Sequence, residues 1–233
     1  MRRELESLGA IKDGFAAAGF VVAAPLLAPG ALTRLDAALA GVAFGGAGSR
    51  QLLDHAWCVE LAGLLRAHPA LAALLPADAA AVQCTYFEKS ARQNWLVAPH
   101  QDLSIAVARR VAHPALRGWS EKEGGVFVQP PDAVLARLVA VRLHIDDCTL
   151  DDGPLRVVPG SHLHGRLDAD GAARVRAAFG ETACAVAPGG AVIMRPLLLH
   201  ASSKSRGQSR RRVLHFVFGP RALPCGLEWR CMR

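Results

Sequence analysis

The chain has 233 residues, 52% of them hydrophobic and 20% charged, with a formal net charge of +7. That length suits a single domain, residues 1–233, able to bury a sizeable core, and its apolar runs are broken by Arg, His and Pro well short of a membrane span. Much of the positive excess lies in Lys204–Arg212 and the Arg-rich tail, not along a helix interleaved with aromatics, which argues against nucleic acid as the partner.

Met1-Arg2-Arg3-Glu4 opens a mixed-charge segment with no apolar signal core, so a cytoplasmic location is expected. Ala/Leu-rich stretches at Ala10–Ala18, Ala31–Ala40 and Ala56–Ala67 predict helices, punctuated by Pro25, Pro29-Gly30, the loop Gly45-Gly46-Ala47-Gly48 and Pro69. Residues 1–80 are therefore expected to form a mainly helical buttress. From Val82 onward the composition turns to short β-rich segments: Val82–Phe87, Leu103–Val107, Leu138–Asp146, Leu155–Val158, Ala183–Ala187, Ala191–Met194 and Val213–Phe218. Strands separated by Gly/Pro turns predict an all-β sandwich or barrel over residues 82–220, flanked by the helices. In Leu138–Asp146, Val139, Val141, Leu143 and Ile145 share one face, while Arg142, His144 and Asp146 share the other, which lines either a barrel interior or an outer wet surface. The Gly/Pro-containing stretch 112–131 reads as a long insertion. A lid hinged at Gly124-Gly125 with Trp119 as its apolar cap is one reading, and a plain loop is the other.

The six cysteines (Cys58, Cys84, Cys148, Cys184, Cys225, Cys231) contain no C-x-x-C pair, which excludes a zinc ribbon or a disulfide framework. His100-Gln101-Asp102 carries more information. Side chains two apart on a strand share a face, so His100 and Asp102 can close on one metal with His200 arriving from a distant strand. Two imidazoles and one carboxylate leave open coordination positions, the arrangement of non-haem Fe(II) oxygenases. Arg210-Arg211-Arg212 beyond His200 supplies a counter-ion for a dicarboxylate co-substrate. His162-Leu163-His164 is a competing pair, but it follows Pro159-Gly160-Ser161 in a turn and lacks a carboxylate at the right parity.

The ordered blocks Asn94-Trp95, His100-Gln101-Asp102, Leu143-His144-Ile145-Asp146-Asp147, Asp152 to His162, and His200-Ala201-Ser202 with Arg211 resemble the phytanoyl-CoA dioxygenase family over roughly Val82–Pro220. The resemblance implies a double-stranded β-helix (a cupin-like jelly roll) and the use of Fe(II), 2-oxoglutarate and O₂. It implies His100, Asp102 and His200 as iron ligands and Arg211 as partner of the 2-oxoglutarate C5 carboxylate. It also implies Ser202 as a second contact and Gln101 as a contact to the co-substrate's other end. Strand parity alone leaves Arg210 and Arg212 in play. The Asp102 carboxylate occupies the position that halogenases of related sequence leave to chloride, so hydroxylation of a small-molecule or carrier-linked substrate is the implied outcome. Two other readings stand beside it: a non-redox cupin-like metalloprotein, whether isomerase or binding module, and a nucleic-acid demethylase suggested by the basic C-terminal third.

Overall fold

The structure, a computed structural model, describes residues 2–42, 48–91, 93–207 and 210–233. The expected glycine loop lies outside the described residues up to Ala47. Helix α1 (Arg2–Ala18) ends at Gly19, where φ is 80°, a conformation that favours a residue without a β-carbon. The first strand, β1 (Phe20–Ala23), follows directly. Helix α2 (Pro29–Ala40) begins with Pro29, whose missing N–H costs nothing in a first turn. After β2 (Gly48–Ser49), α3 (Ala56–Ala67) yields at His68-Pro69 to the short α4 (Pro69–Ala72). The remaining elements are β3 (Ala79–Lys89), β4 (Val97–His100), β5 (Ile105–Val107), β6 (Arg117–Lys122), β7 (Gly125–Gln129), α5 (Asp132–Leu135) and β8 (Val139–His144). They continue with β9 (Leu155–Val157), α6 (Ala169–Phe179), β10 (Thr182–Cys184), β11 (Ala191–Met194), β12 (His200–Ser202) and β13 (Arg211–Pro220).

Two antiparallel sheets form the jelly roll. The larger runs β1-β11-β8-β13-β3-β2 and the smaller β10-β9-β12-β4. Helices cover the outer face of the larger sheet: Phe15, Leu35 and Leu65 pack with Val141, Leu214 and Phe216. On its inner face, Ala140, Val192 and Met194 meet Leu155, Val157 and Cys184 of the smaller sheet. This is the double-stranded β-helix that the family resemblance implies, within the all-β sandwich or barrel with flanking helices that the turn spacing predicts. It also decides the two-faced strand β8: Val139, Val141 and Leu143 look toward the helices, and Arg142 looks into the barrel.

Several elements depart from expectation. The stretch 112–131 is not an unstructured insertion. It forms the hairpin β6–β7, whose turn places Glu123 and Gly124 at φ 50° and 73°, the left-handed pair that a tight hairpin of this hand requires. β7 also pairs with β5, giving a third sheet, β5-β7-β6. Trp119 does not cap the cavity. It packs into the cluster beneath this sheet with the Arg110 guanidinium over its ring, and Phe127 faces inward instead. β4 contains Pro99, tolerated because β4 is the edge strand of its sheet. α6 had a sequence signal in its Asp168 N-cap, which accepts from the Gly171 N–H at 2.7 Å. All six cysteines are free. Among the described residues no helix is long and apolar enough to cross a membrane.

Candidate active site

β12 and β4 pair so that His200 lies directly opposite His100, and the two rings approach to 4.2 Å between centroids. The strand stops at His100, so Asp102 is held by a different device: its N–H donates to the Pro196 carbonyl at 2.9 Å. Ligand atoms of His100, Asp102 and His200 all lie within 4.8 Å of one another. Each histidine uses Nδ1 against a carbonyl two residues back, His100 on Ala98 at 2.9 Å and His200 on Leu198 at 2.8 Å. Those bonds fix the rings and aim each Nε2 at Asp102, 3.8 Å from one carboxylate oxygen apiece. The separations are too long for hydrogen bonds and leave room for an ion between the three groups, which is the donor chemistry of a two-histidine, one-carboxylate metal site.

The electrostatics agree. Burial alone raises the Asp102 pKa, but His200, His215, His100 and Arg142 together outweigh it and hold the carboxyl below its ordinary value. Burial pushes His200 down to about 4, which keeps the imidazole neutral and able to ligate.

A cavity of about 460 Å³ opens from this centre. At its deep end the alternation of β13 turns Arg211 inward and sends its neighbours out. Arg212 bonds Asp146 at 2.6 and 2.8 Å and pairs with Asp36, while Arg210 pairs with Glu88 at 2.9 Å. Arg211 donates to the Gly153 carbonyl, and its Nε is buried without a partner. Ser202 donates to that same carbonyl at 2.9 Å and accepts from Lys89 Nζ at 2.7 Å. Lys89 is only 2% exposed. It also donates to the Ser203 carbonyl and lies 5.8 Å from the Trp95 ring. Burial, then the charges of Arg211 and Arg142, bring its pKa down to about 7.

Gln101 stands differently from its expected place at the co-substrate. Its Nε2 donates to the carbonyls of Gly165 and Leu197, at 2.8 and 2.6 Å, and its Oε1 accepts from the Leu167 N–H at 2.8 Å. The carboxamide is thus spent on bracing backbone. His162 turns away as well, against the Ala16 carbonyl of α1 at 3.1 Å. His144 is buried and does not line the cavity, with neither ring nitrogen hydrogen bonded. Asp146, the third polar residue of that strand face, goes to Arg212.

Sequence reasoning missed Lys89 and His215, and it left Arg142 open between a barrel lining and an outer wet surface. His215 reads as an ordinary half-buried imidazole, yet its Nε2 stands 3.8 Å from Asp102 Oδ2 and its Nδ1 3.2 Å from Arg142 Nη1. The inward alternation of β8 and β13 was the available signal. What the one-dimensional pattern lacked was the pairing Arg142↔His215 that puts them side by side.

A jelly roll with a two-histidine, one-carboxylate cluster beside buried cations defines the class of cupin-fold metal sites. Within it the chain belongs to the phytanoyl-CoA dioxygenase (PhyH) family, whose model matches residues 15–213. No curated protein matches. Among solved structures, the chain is similar to the non-haem α-ketoglutarate-dependent epimerase SnoN from nogalamycin biosynthesis, with 15% identity, TM-score 0.70, and coverage of 97% of this chain and 86% of that one. It is similar also to EctD from S. alaskensis (16% identity, TM-score 0.68, 95% and 82% covered) and to AviO1 from Streptomyces viridochromogenes (22% identity, TM-score 0.62, 93% and 96% covered). SnoN has been crystallised with Fe³⁺, α-ketoglutarate and a nogalamycin compound, and EctD with bound Fe.

Proposed function

We propose that the chain is an Fe(II)- and 2-oxoglutarate-dependent oxygenase that hydroxylates a small molecule. The convergence of His100, Asp102 and His200 within 4.8 Å at the head of a cavity ending in Arg211, Ser202 and Lys89 carries this reading. The iron and 2-oxoglutarate recorded in SnoN, and the iron in EctD, support it.

In this reading the Nε2 atoms of His100 and His200 and the Asp102 carboxylate would hold the metal. Bound Fe(II) with 2-oxoglutarate supplies oxidative decarboxylation to succinate and CO₂ and the oxidising power for attack on a C–H bond. The buried, unpartnered Nε of Arg211 awaits an anion, and together with Lys89 and Ser202 it would take the distal carboxylate of the co-substrate. Gly153, by accepting from both Arg211 and Ser202, sets their spacing. The surrounding β-strands fix these groups before any ligand arrives, so little ordering is left to be done on binding. Asp102 keeps a carboxylate at the metal position, which supports hydroxylation over halogen transfer.

The test is anaerobic titration with Fe(II) and 2-oxoglutarate, followed by succinate release in air and mass analysis of the product. A gain of one oxygen atom is expected. An unchanged mass would indicate epimerisation, and loss of two hydrogens cyclisation. An intact metalloprotein inert toward 2-oxoglutarate would point to a non-redox cupin. His100→Ala, Asp102→Ala and His200→Ala should each lose iron.

A further inference from the structure

Arg142 has no part in the reading above. It rises from the inward face of β8 onto the cavity, level with His215, whose Nε2 stands 3.8 Å from Asp102 Oδ2. Its Nη1 meets Nδ1 of His215 at 3.2 Å, its Nε is buried without a partner, and among the described residues no carboxylate stands within ion-pair distance. Burial and then Arg211 lower its pKa only to about 10, so it stays a cation at neutral pH. Arg142 is half-buried on the cavity wall, and a cation held there without a counter-ion costs more than an apolar side chain would.

The charge around the whole cavity sharpens the point. Among the described residues its walls carry the cations Arg50, Lys122, Arg142 and Arg211, and Lys89 with a pKa of about 7, against the single carboxylate of Asp102. Glu123 answers Arg50. In the proposed loaded state Asp102 and the near carboxylate of the co-substrate answer the divalent ion, and its far carboxylate answers Arg211 and Lys89. Arg142 remains unanswered, as does Lys122 at the rim, whose Nζ lies 5.1 Å from the Phe127 ring. The space left over is walled by Val82, Ile105, Phe127, Leu138, Val217 and Trp229.

Resting on the oxygenase reading, we infer that the primary substrate is a small carboxylate with an apolar body, its charge held by Arg142 beside the metal centre. The guanidinium is set for that task. His215 fixes one edge and the Phe87 ring packs 5.4 Å from its centre, so a planar fork is presented with little left to order. Size points the same way. A 460 Å³ cavity sits toward the lower end of the roughly 300–1,000 Å³ of small-molecule sites, and the co-substrate must share it.

The experiment uses the intact protein loaded with Mn(II) and saturating 2-oxoglutarate. Butyrate, hexanoate, benzoate and hydrocinnamate, each beside its primary amide, are titrated by calorimetry and thermal shift. At least one acid should bind alongside 2-oxoglutarate, about tenfold or more tighter than its amide, the scale of one charge-assisted contact. Arg142→Met, close to isosteric and relieved of a buried charge, should erase that preference while holding 2-oxoglutarate affinity within about threefold, and Arg142→Lys should restore part of it. Binding of no acid, equal binding of acids and amides, acids that only displace 2-oxoglutarate, or a preference that survives Arg142→Met overturns the inference. A large loss of 2-oxoglutarate affinity in Arg142→Met also overturns it, by assigning Arg142 to the co-substrate. Should the wild-type protein bind neither metal nor 2-oxoglutarate in the control titration, the oxygenase reading itself fails, and this inference falls with it.

Discussion

Arg211 and Lys89 show how much a single side chain gains from its surroundings. Each is a cation withdrawn from water, and each has its remaining hydrogen-bonding capacity directed at one pocket. Arg211→Lys should raise the apparent KM for 2-oxoglutarate markedly, because an ammonium cannot reproduce the planar fork, and Arg211→Ala should cost on the order of 2–5 kcal/mol of binding. Steady-state kinetics in varied 2-oxoglutarate checks both; unchanged KM values would remove Arg211 from the co-substrate. Lys89 adds a pH dependence. With its pKa depressed to about 7, the free protein carries this charge below pH 7 and loses it above. Because the co-substrate is an anion, its affinity should be full on the acid side and weaken as pH rises through 7 toward 8.5. Binding titrations across that range should show the slope in wild type and a flat profile in Lys89→Met.

At the scale of elements, β13 sorts three consecutive arginines into different roles by alternation alone. Arg211 faces the cavity, and Arg212 closes a network with Asp146 and Asp36 on the other face. Arg212→Ala should therefore spare 2-oxoglutarate affinity and lower stability by about 3 kcal/mol, read by chemical denaturation, since it leaves the half-buried Asp146 without a counter-charge and with only the backbone N–H of residue 212 as donor. The turn before β9 is equally specialised. Gly153 sits at φ 62°, and a β-carbon there would come within 2.4 Å of the Ser203 carbonyl oxygen. Gly153→Ala must move the carbonyl that accepts from both Arg211 and Ser202. It should cost at least about 1 kcal/mol of stability and also weaken 2-oxoglutarate binding, a double effect that a purely local strain would not produce.

For the molecule as a whole, the barrel encloses more positive charge than its own carboxylates can answer, and that repulsion works against the apo fold. Ligands that bring negative charge should repay it. At about a hundred times its dissociation constant, 2-oxoglutarate with Mn(II) should add roughly 2.7 kcal/mol of stability, a rise of about 5–10 °C in Tm for a chain of this size. Calorimetry checks this, and a Tm indifferent to both ligands would contradict the assigned site.

The sequence by itself determined the helical start and the β-rich remainder as a sandwich or barrel, because apolar periodicity and Gly/Pro punctuation are local properties of the chain; the jelly-roll class came with the family resemblance of its ordered motifs. It also singled out His100, Asp102 and His200 by motif, although the strand premise fails at Asp102, and the family resemblance chose Arg211 from the three consecutive arginines. It did not reveal β4, β6 or β12, where a proline, charged residues or a three-residue length hide strands that exist only because a neighbour pairs with them. Nor could it place Lys89 against Ser202, 113 residues away, or His215 between Arg142 and Asp102. It gave Gln101 to the co-substrate, whereas three backbone partners from distant segments claim its carboxamide. Those contacts are set by strand register and by the closure of two sheets around one cavity, and register is a property of pairs of segments that only tertiary structure decides.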